Sequence, residues 1–319
     1  MNRDRTWGIA TIGLASLVWG TTGTAATFAS GVGPLAIGAA ALGIGGLLQA
    51  AIALPALRRA GTVLRTRLRT VLIGGVAVGV YPLAFYSSMH LAGVAVGSVI
   101  TLASAPLAAG LLERLVDRSP LSRWWMLAAG LGVAGSAALC ESKLDGPAAN
   151  IASTLAGVLL GLVAAAAYAT YSWSAHRLID SGVERSAAMG SVFGIGGALL
   201  VPVLLVTGAP LLTSTQNFAV AAYMALVTMF LGYLVFGFGL AKVSASTATT
   251  VTLMEPAVAT ILAVLIVGER LTPLGWIGLC VIGLALLILA LAPANTAPQP
   301  QAPREGAVAP REPAVQGTW

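Results

Sequence analysis

The sequence predicts an all-α membrane protein: ten transmembrane helices arranged as two inverted five-helix repeats. Three observations carry this reading. Hydrophobic residues make up 57% of the chain and charged residues only 9%, against roughly 25% charged in a soluble domain. The apolar residues fall into ten runs of bilayer length. The arginines and lysines gather almost entirely on alternate connections. The 38 glycines suit helices that approach closely in lipid, where small residues make the interfaces.

A helix needs about 20 apolar residues to cross the hydrocarbon core. The runs are 7–27, 34–56, 70–90, 94–112, 122–140, 153–175, 187–207, 217–240, 244–267 and 273–292. The connections are short, so successive helices are expected to be antiparallel neighbours. The first run comes after Arg3 and Arg5, as the core of a signal peptide would. It continues past the usual length of such a core and has a partner later in the chain, so it is read as a span.

Orientation is set by the basic residues, which favour the cytoplasmic side. With the N-terminus inside, only Lys143 and Arg270 of the 17 basic residues fall outside. A nine- or eleven-span reading scatters this asymmetry. The formal charge of +6 is therefore a topology signal rather than a nucleic-acid surface, and the same residues are placed to meet anionic headgroups. The expected location is the inner (cytoplasmic) membrane, with both termini in the cytoplasm. Residues 293–319 are rich in Pro, Ala and Gln and repeat Ala-Pro-Arg-Glu. They are read as a disordered cytoplasmic tail.

The two halves resemble each other. Trp19-Gly20-Thr21 corresponds to Tyr168-Ala169-Thr170, Ala105-Pro106 to Glu255-Pro256, and the turn 90–94 to 239–243. This divides the chain into a first repeat, 1–145, and a second, 146–292. Each holds five spans, an odd number, so the second is inverted in the membrane. Inverted repeats with helix breaks at matching positions mark secondary transporters.

These residues also carry a family resemblance. Leu17-Val18-Trp19-Gly20-Thr21-Thr22, Leu253-Met254-Glu255-Pro256 and the run Leu265 to Thr272, which contains Gly268-Glu269-Arg270, resemble the drug/metabolite transporter superfamily, specifically its EamA-type ten-span group. The resemblance covers roughly 7–292. It implies a central cavity and export of small metabolites such as amino acids or drug-like compounds. Two departures stand out: span two carries no arginine in Ile37-Gly38-Ala39-Ala40-Ala41-Leu42, and the first repeat has Val116-Asp117-Arg118 where the second has Gly-Glu-Arg.

Glu255 is the one carboxylate in the middle of an apolar run. Such a group costs roughly 2.5–3.5 kcal/mol to insert and usually faces a bundle interior or wet cavity. It reads either as a proton- or substrate-responsive group or as a structural carboxylate at a broken helix. Pro256 and Pro106 are the expected helix breaks, since proline cannot donate to the carbonyl four residues back. Expected substrate-binding residues are Trp19, Tyr81, Tyr86, Thr101, Ser104, Tyr168, Tyr233 and Thr252. Aromatic rings bind apolar or cationic cargo and their polar tips orient it. In this reading spans one, three, four, six, eight and nine surround the cavity. The bland alternatives are lipid-facing aromatics and, for Thr101 and Ser104, tight helix packing. Trp7, Trp124 and Trp125 are read as interfacial belt residues.

Enzymatic activity is not expected, because the two histidines and one deep carboxylate are too sparse a set. Neither a metal nor a cofactor is called for, and no phosphate-binding loop points to ATP hydrolysis. The expected partners are a small-molecule substrate and the lipid bilayer, with no nucleic acid. The functional expectation is alternating-access export, with proton coupling through Glu255 as its hypothesis. The alternative is a gradient-independent facilitator or lipid-type flippase on the same fold.

Overall fold

The computed structural model describes residues 3–26, 28–92, 94–141, 151–262, 265 and 272–291. In chain order the ten helical segments are α1 (Arg3–Ala26), α2 (Pro34–Ile52), α3 (Leu68–Ala92), α4 (Val94–Leu115), α5 (Arg123–Glu141), α6 (Ile151–Asp180), α7 (Arg185–Thr207), α8 (Thr215–Leu240), α9 (Ala245–Val251 with Met254–Leu262) and α10 (Pro273–Leu291). A further helix, Leu54–Thr66, extends α2. Among the described residues, α1, α2, α3, α6, α7 and α8 are long and apolar enough to cross a membrane. α4, α5 and α10 are helices of 22, 19 and 19 residues. The tail, Lys143 and the Gly268-Glu269-Arg270 motif lie outside the described residues.

The halves interleave. α3 packs on α6 and α1 on α8; α2 packs on α7, α4 on α9 and α5 on α10. Each pair joins one half to the other, and exchanging the halves maps the set onto itself. That is the signature of a duplicated architecture. The ends show its inversion. Lys242 at the end of α8 pairs with Asp4 at the start of α1, and Arg5 donates to the Leu289 carbonyl at 2.9 Å. His176 near the end of α6 bonds the Leu240 carbonyl at 2.8 Å. So α6 ends on the face where α1 begins.

Small residues allow this packing. A Cβ added at Gly75 would lie 2.5 Å from the Ile195 side chain, and one at Gly190 would lie 2.4 Å from the Ala53 methyl. The outward surface is apolar instead, with Leu205 79% and Val206 84% exposed. Lipid rather than water suits such a surface, because lipid does not penalise exposed leucine.

Several helices depart from regular geometry near the middle. α1 turns at Gly20 and Thr21, and a Cβ at Gly20 would meet Val258 of α9 at 2.6 Å. α2 is π-helical over Ala39–Ile44 and α8 over Met224–Leu231, and these two segments touch. A π-turn frees backbone carbonyls that must be satisfied internally in lipid. Here Trp19 Nε1 donates to the Thr228 carbonyl at 2.8 Å and Gln49 Nε2 to the Phe230 carbonyl at 2.8 Å.

The two proline sites behave differently. α9 stops at Val251, and Met254 starts its second half, with Pro256 in the first turn. The Thr252 carbonyl that Pro256 cannot reach accepts from the Glu255 N–H at 2.9 Å. α4, by contrast, runs unbroken from Val94 to Leu115 with Pro106 inside it. The expected break at Pro106 is therefore corrected. A membrane helix can continue past a proline when the carbonyl left without its N–H is satisfied by neighbouring groups or by local adjustment of the helix.

Candidate functional site

A cavity of about 20 Å³ lies between the halves at mid-depth, room for roughly one water. α1 contributes Trp19 and Thr22, and α2 contributes Gly38, Ala41 and Leu42. α3 supplies Tyr81, Pro82, Phe85 and Tyr86; the far wall is Tyr168, Met229, Tyr233 and Glu255. Gly38 is needed for the close approach of α2, since a Cβ there would sit 2.9 Å from the Tyr86 ring.

The wall is an aromatic cluster continuous across both halves. Trp19 lies 4.7 Å from Tyr233, and Tyr233 lies 4.4 Å from Phe193. Tyr171 bridges Phe193 at 5.4 Å and Tyr168 at 5.2 Å. Tyr81 stands 5.5 Å from both Tyr168 and Phe85, and Phe85 stands 5.3 Å from Tyr86. Such pairs add about 0.5–1.5 kcal/mol each beyond their burial. The cluster is thus a stiff partition as well as a lining.

Its polar tips divide into two groups. The first is engaged: Tyr171 and Tyr233 share a hydroxyl bond of 2.6 Å, Tyr168 donates to Thr252 Oγ1 at 3.0 Å, and the Trp19 indole is held by α8. The second is not. Among the described residues, Tyr86 Oη and Thr22 Oγ1 are buried without a hydrogen-bond partner, at 6% and 7% residue exposure. The Glu255 carboxylate opens on the same cavity. Each unpartnered buried hydroxyl costs about 1–3 kcal/mol. Three polar groups around one cavity are therefore an arrangement that favours a polar guest.

A second, larger cavity of about 630 Å³ opens at the face that carries the N-terminus. Its wall includes Arg5, Arg67, Trp125, His176 and Ser246. Glu113 at the end of α4 accepts from the Ser246 N–H at 2.8 Å and the Ser246 hydroxyl at 2.6 Å, capping α9. Asp117 pairs with Arg177 and accepts from Trp173 Nε1 at 2.6 Å. Between Ser246 and Glu255, α9 is bonded twice more, by Trp125 Nε1 to Thr250 Oγ1 at 3.1 Å and by Tyr168 to Thr252.

The opposite face is tied by neutral groups. Asn217, at the start of α8, donates to the Ser30 carbonyl and accepts from the Ser30 N–H, both at 3.1 Å. Gln216 donates to the Phe28 carbonyl at 3.0 Å. Beside them lies an apolar groove of about 510 Å³, lined by Phe28, Val220 and Leu262 among others.

Two segments of the chain, 6–140 and 155–291, match the EamA-like transporter family. The chain belongs to this family. Relatives of this EamA-like chain include the uncharacterized transporter YwfM of Bacillus subtilis, 33% identical over 282 residues, which are 88% of this chain and 92% of that protein. An uncharacterized transporter of Clostridium kluyveri is 33% identical over 120 residues, 37% of this chain and 38% of that one. A solved crystal structure shares the fold with a TM-score of 0.69 at 18% identity, covering 87% of this chain and 94% of that one. The EamA-like chain is thus a multi-pass membrane transporter and not an enzyme.

The structure brings together Trp19, Tyr81, Tyr86, Tyr168, Tyr233 and Glu255 at one cavity, with Thr252 bonded just behind it. Thr101 and Ser104 are not among the lining residues. Thr101 is fully buried and donates to the Gly161 carbonyl of α6 at 3.2 Å, a packing contact. α2 occupies the wall that the sequence assigns to α4. Trp125 is also a correction: it is 8% exposed and packs between α4 and α9, whereas Trp124 next to it faces outward. Adjacent helical residues point about 100° apart, so a Trp-Trp pair cannot serve one surface. Sequence reasoning passed over Thr22, Gln49 and Phe193. Gln49 had a signal, being a long polar side chain deep in span two.

Proposed function

We propose that this transporter is a secondary exporter of small organic metabolites. Its two halves rock about the Glu255 cavity in the cytoplasmic membrane, with both termini inside, and protonation of Glu255 couples to cargo movement. The observation that carries this reading is the cavity itself. A carboxylate and two unpartnered hydroxyls converge between the repeats, where inverted-repeat transporters hold substrate. At about 20 Å³ it is far below the roughly 300 Å³ of a ligand site. Binding a metabolite therefore requires the aromatic partition to part. The cytoplasmic face would open by releasing Asp117–Arg177 and the Glu113 cap, the outer face by releasing Asn217 from Ser30.

The test is reconstitution of Glu255→Gln in vesicles with an imposed pH gradient. A thermal-shift screen of purified protein against amino acids, amines and cationic dyes first supplies the cargo. Uptake by the variant is expected to lose its response to the gradient. Full retention of pH dependence sinks the coupling. A second reading, a gradient-independent facilitator or lipid-type flippase, is favoured by the apolar groove between α1 and α8. Counterflow of cargo at equal pH on both sides would select it.

A further inference from the structure

The extension Leu54–Thr66 is a two-faced helix. Ala56 is 4% exposed, and Leu57, Ala60 and Leu64 pack against the core beside it. Arg58 and Arg65 lie seven residues apart on the other side, within about 20° of each other around the axis. Arg67 and Arg69 come directly after, and all four are exposed.

Carboxylates nearby in the chain do not account for them. From Arg5 to Leu112 the chain has no carboxylate at all. Arg59 is matched with Glu184 at 3.0 Å, and the Ser186 hydroxyl together with Arg59 holds the Glu184 carboxyl below its ordinary range. Among the described residues no side-chain bond or ion pair engages Arg58, Arg65, Arg67 or Arg69.

The surface beside these arginines is apolar and uncovered. Ile52, Leu54, Leu68 and Leu72 are each 45–52% exposed, at the ends of α2 and α3. Four cations thus border a surface suited to acyl chains. A soluble acidic protein would answer the charges but leave that surface uncovered. An anionic phospholipid answers both, with its headgroup on the guanidiniums and its chains on the leucines.

We propose that Arg58, Arg65, Arg67 and Arg69 form a collar that binds the headgroups of anionic phospholipids at the edge of the apolar belt. Arg67 also lines the 630 Å³ vestibule, so the bound lipid stands at its rim.

The experiment is native mass spectrometry of the full chain released from detergent, titrated with phosphatidylglycerol or with phosphatidylcholine of the same chains. Wild type is expected to retain phosphatidylglycerol preferentially and to lose that preference in high salt. Each arginine contributes about fivefold, so Arg58→Gln with Arg65→Gln and Arg69→Gln should weaken retention by roughly a hundredfold. Lysine at the same three positions should keep it. Equal retention of the two lipids by wild type overturns the proposal. So does an unchanged glutamine variant, or a glutamine variant that keeps the lipid but loses a co-purifying protein. Should the glutamine variant fail to fold, the salt titration of wild type decides alone.

Discussion

α4 and α9 are counterparts in the duplication, each with a proline at the matching place, yet one is continuous and the other is broken. The prolines alone do not explain the difference, and the two helices also differ in where their hydroxyls go. In α9, Thr249 Oγ1 donates to the Ala245 carbonyl at 2.9 Å, Thr250 Oγ1 to the Ser246 carbonyl at 2.7 Å, and Thr252 Oγ1 to the Thr249 carbonyl at 2.9 Å. Hydroxyls that bond their own helix compete with its ladder and bend it. In α4, Thr101 sends its hydroxyl across to α6, so its own backbone ladder is left alone. The break then lets Glu255 begin a new half-helix, where the free N–H groups tolerate negative charge. Ala105, at the equivalent place, sits in a closed helix at 0% exposure. A carboxylate is tolerated on one side of the duplication because the backbone there is already open.

The comparison can be broken most severely by placing the acid on the wrong side. Ala105→Glu puts a carboxylate into a closed, packed helix and should cost more than about 3 kcal/mol. Loss of monodisperse protein on size-exclusion chromatography is the readout; normal yield would show that α4 opens as easily as α9. Glu113→Ala comes next. It removes the α4 carboxylate that caps α9 and strands the Ser246 N–H and hydroxyl, for about 2–3 kcal/mol measured by thermal unfolding in detergent. Thr252→Val leaves the Tyr168 hydroxyl without its acceptor and should cost about 1–2 kcal/mol. Thr101→Val, on α4 next to Leu102, the counterpart of Thr252, loses one 3.2 Å bond to a carbonyl that is still in its own ladder, about 1 kcal/mol or less. Equal losses for the two threonines would erase the distinction. Tyr86→Phe is the one change expected to cost no stability: it removes a buried hydroxyl that has no partner among the described residues, and should raise stability by about 1 kcal/mol or more. Its cost should appear in transport affinity instead.

The fold could be read from the chain because its cause is local: run length, charge placement and repeated motifs each act along the sequence. The shared cavity position of Trp19, Tyr81, Tyr86, Tyr168 and Tyr233 came from placing the spans about a repeat axis. What could not be read are choices made between helices. Whether Thr101 turns inward or packs on α6, and whether Trp125 or Trp124 faces lipid, depends on helix rotation. A continuously apolar helix specifies that weakly, because no polar face marks its buried side. The substitution of α2 for α4 in the wall has the same origin. Gly38, Ala41 and Leu42 look like packing residues until a π-turn rotates them into place.

Those π-turns in α2 and α8 have a consequence for insertions and deletions. Relative to an α-helix, such a turn stores an extra residue without disturbing the phase of the helix beyond it. Deleting one of Ala39, Ala40 or Ala41 should therefore convert the segment to ordinary helix and leave Gln49 aimed at Phe230. Deleting a residue between Gly46 and Leu48 has no such reserve and would swing Gln49 by about 100°. The membrane half of α2 thus contains a spot where chain length can change by one while its register is kept.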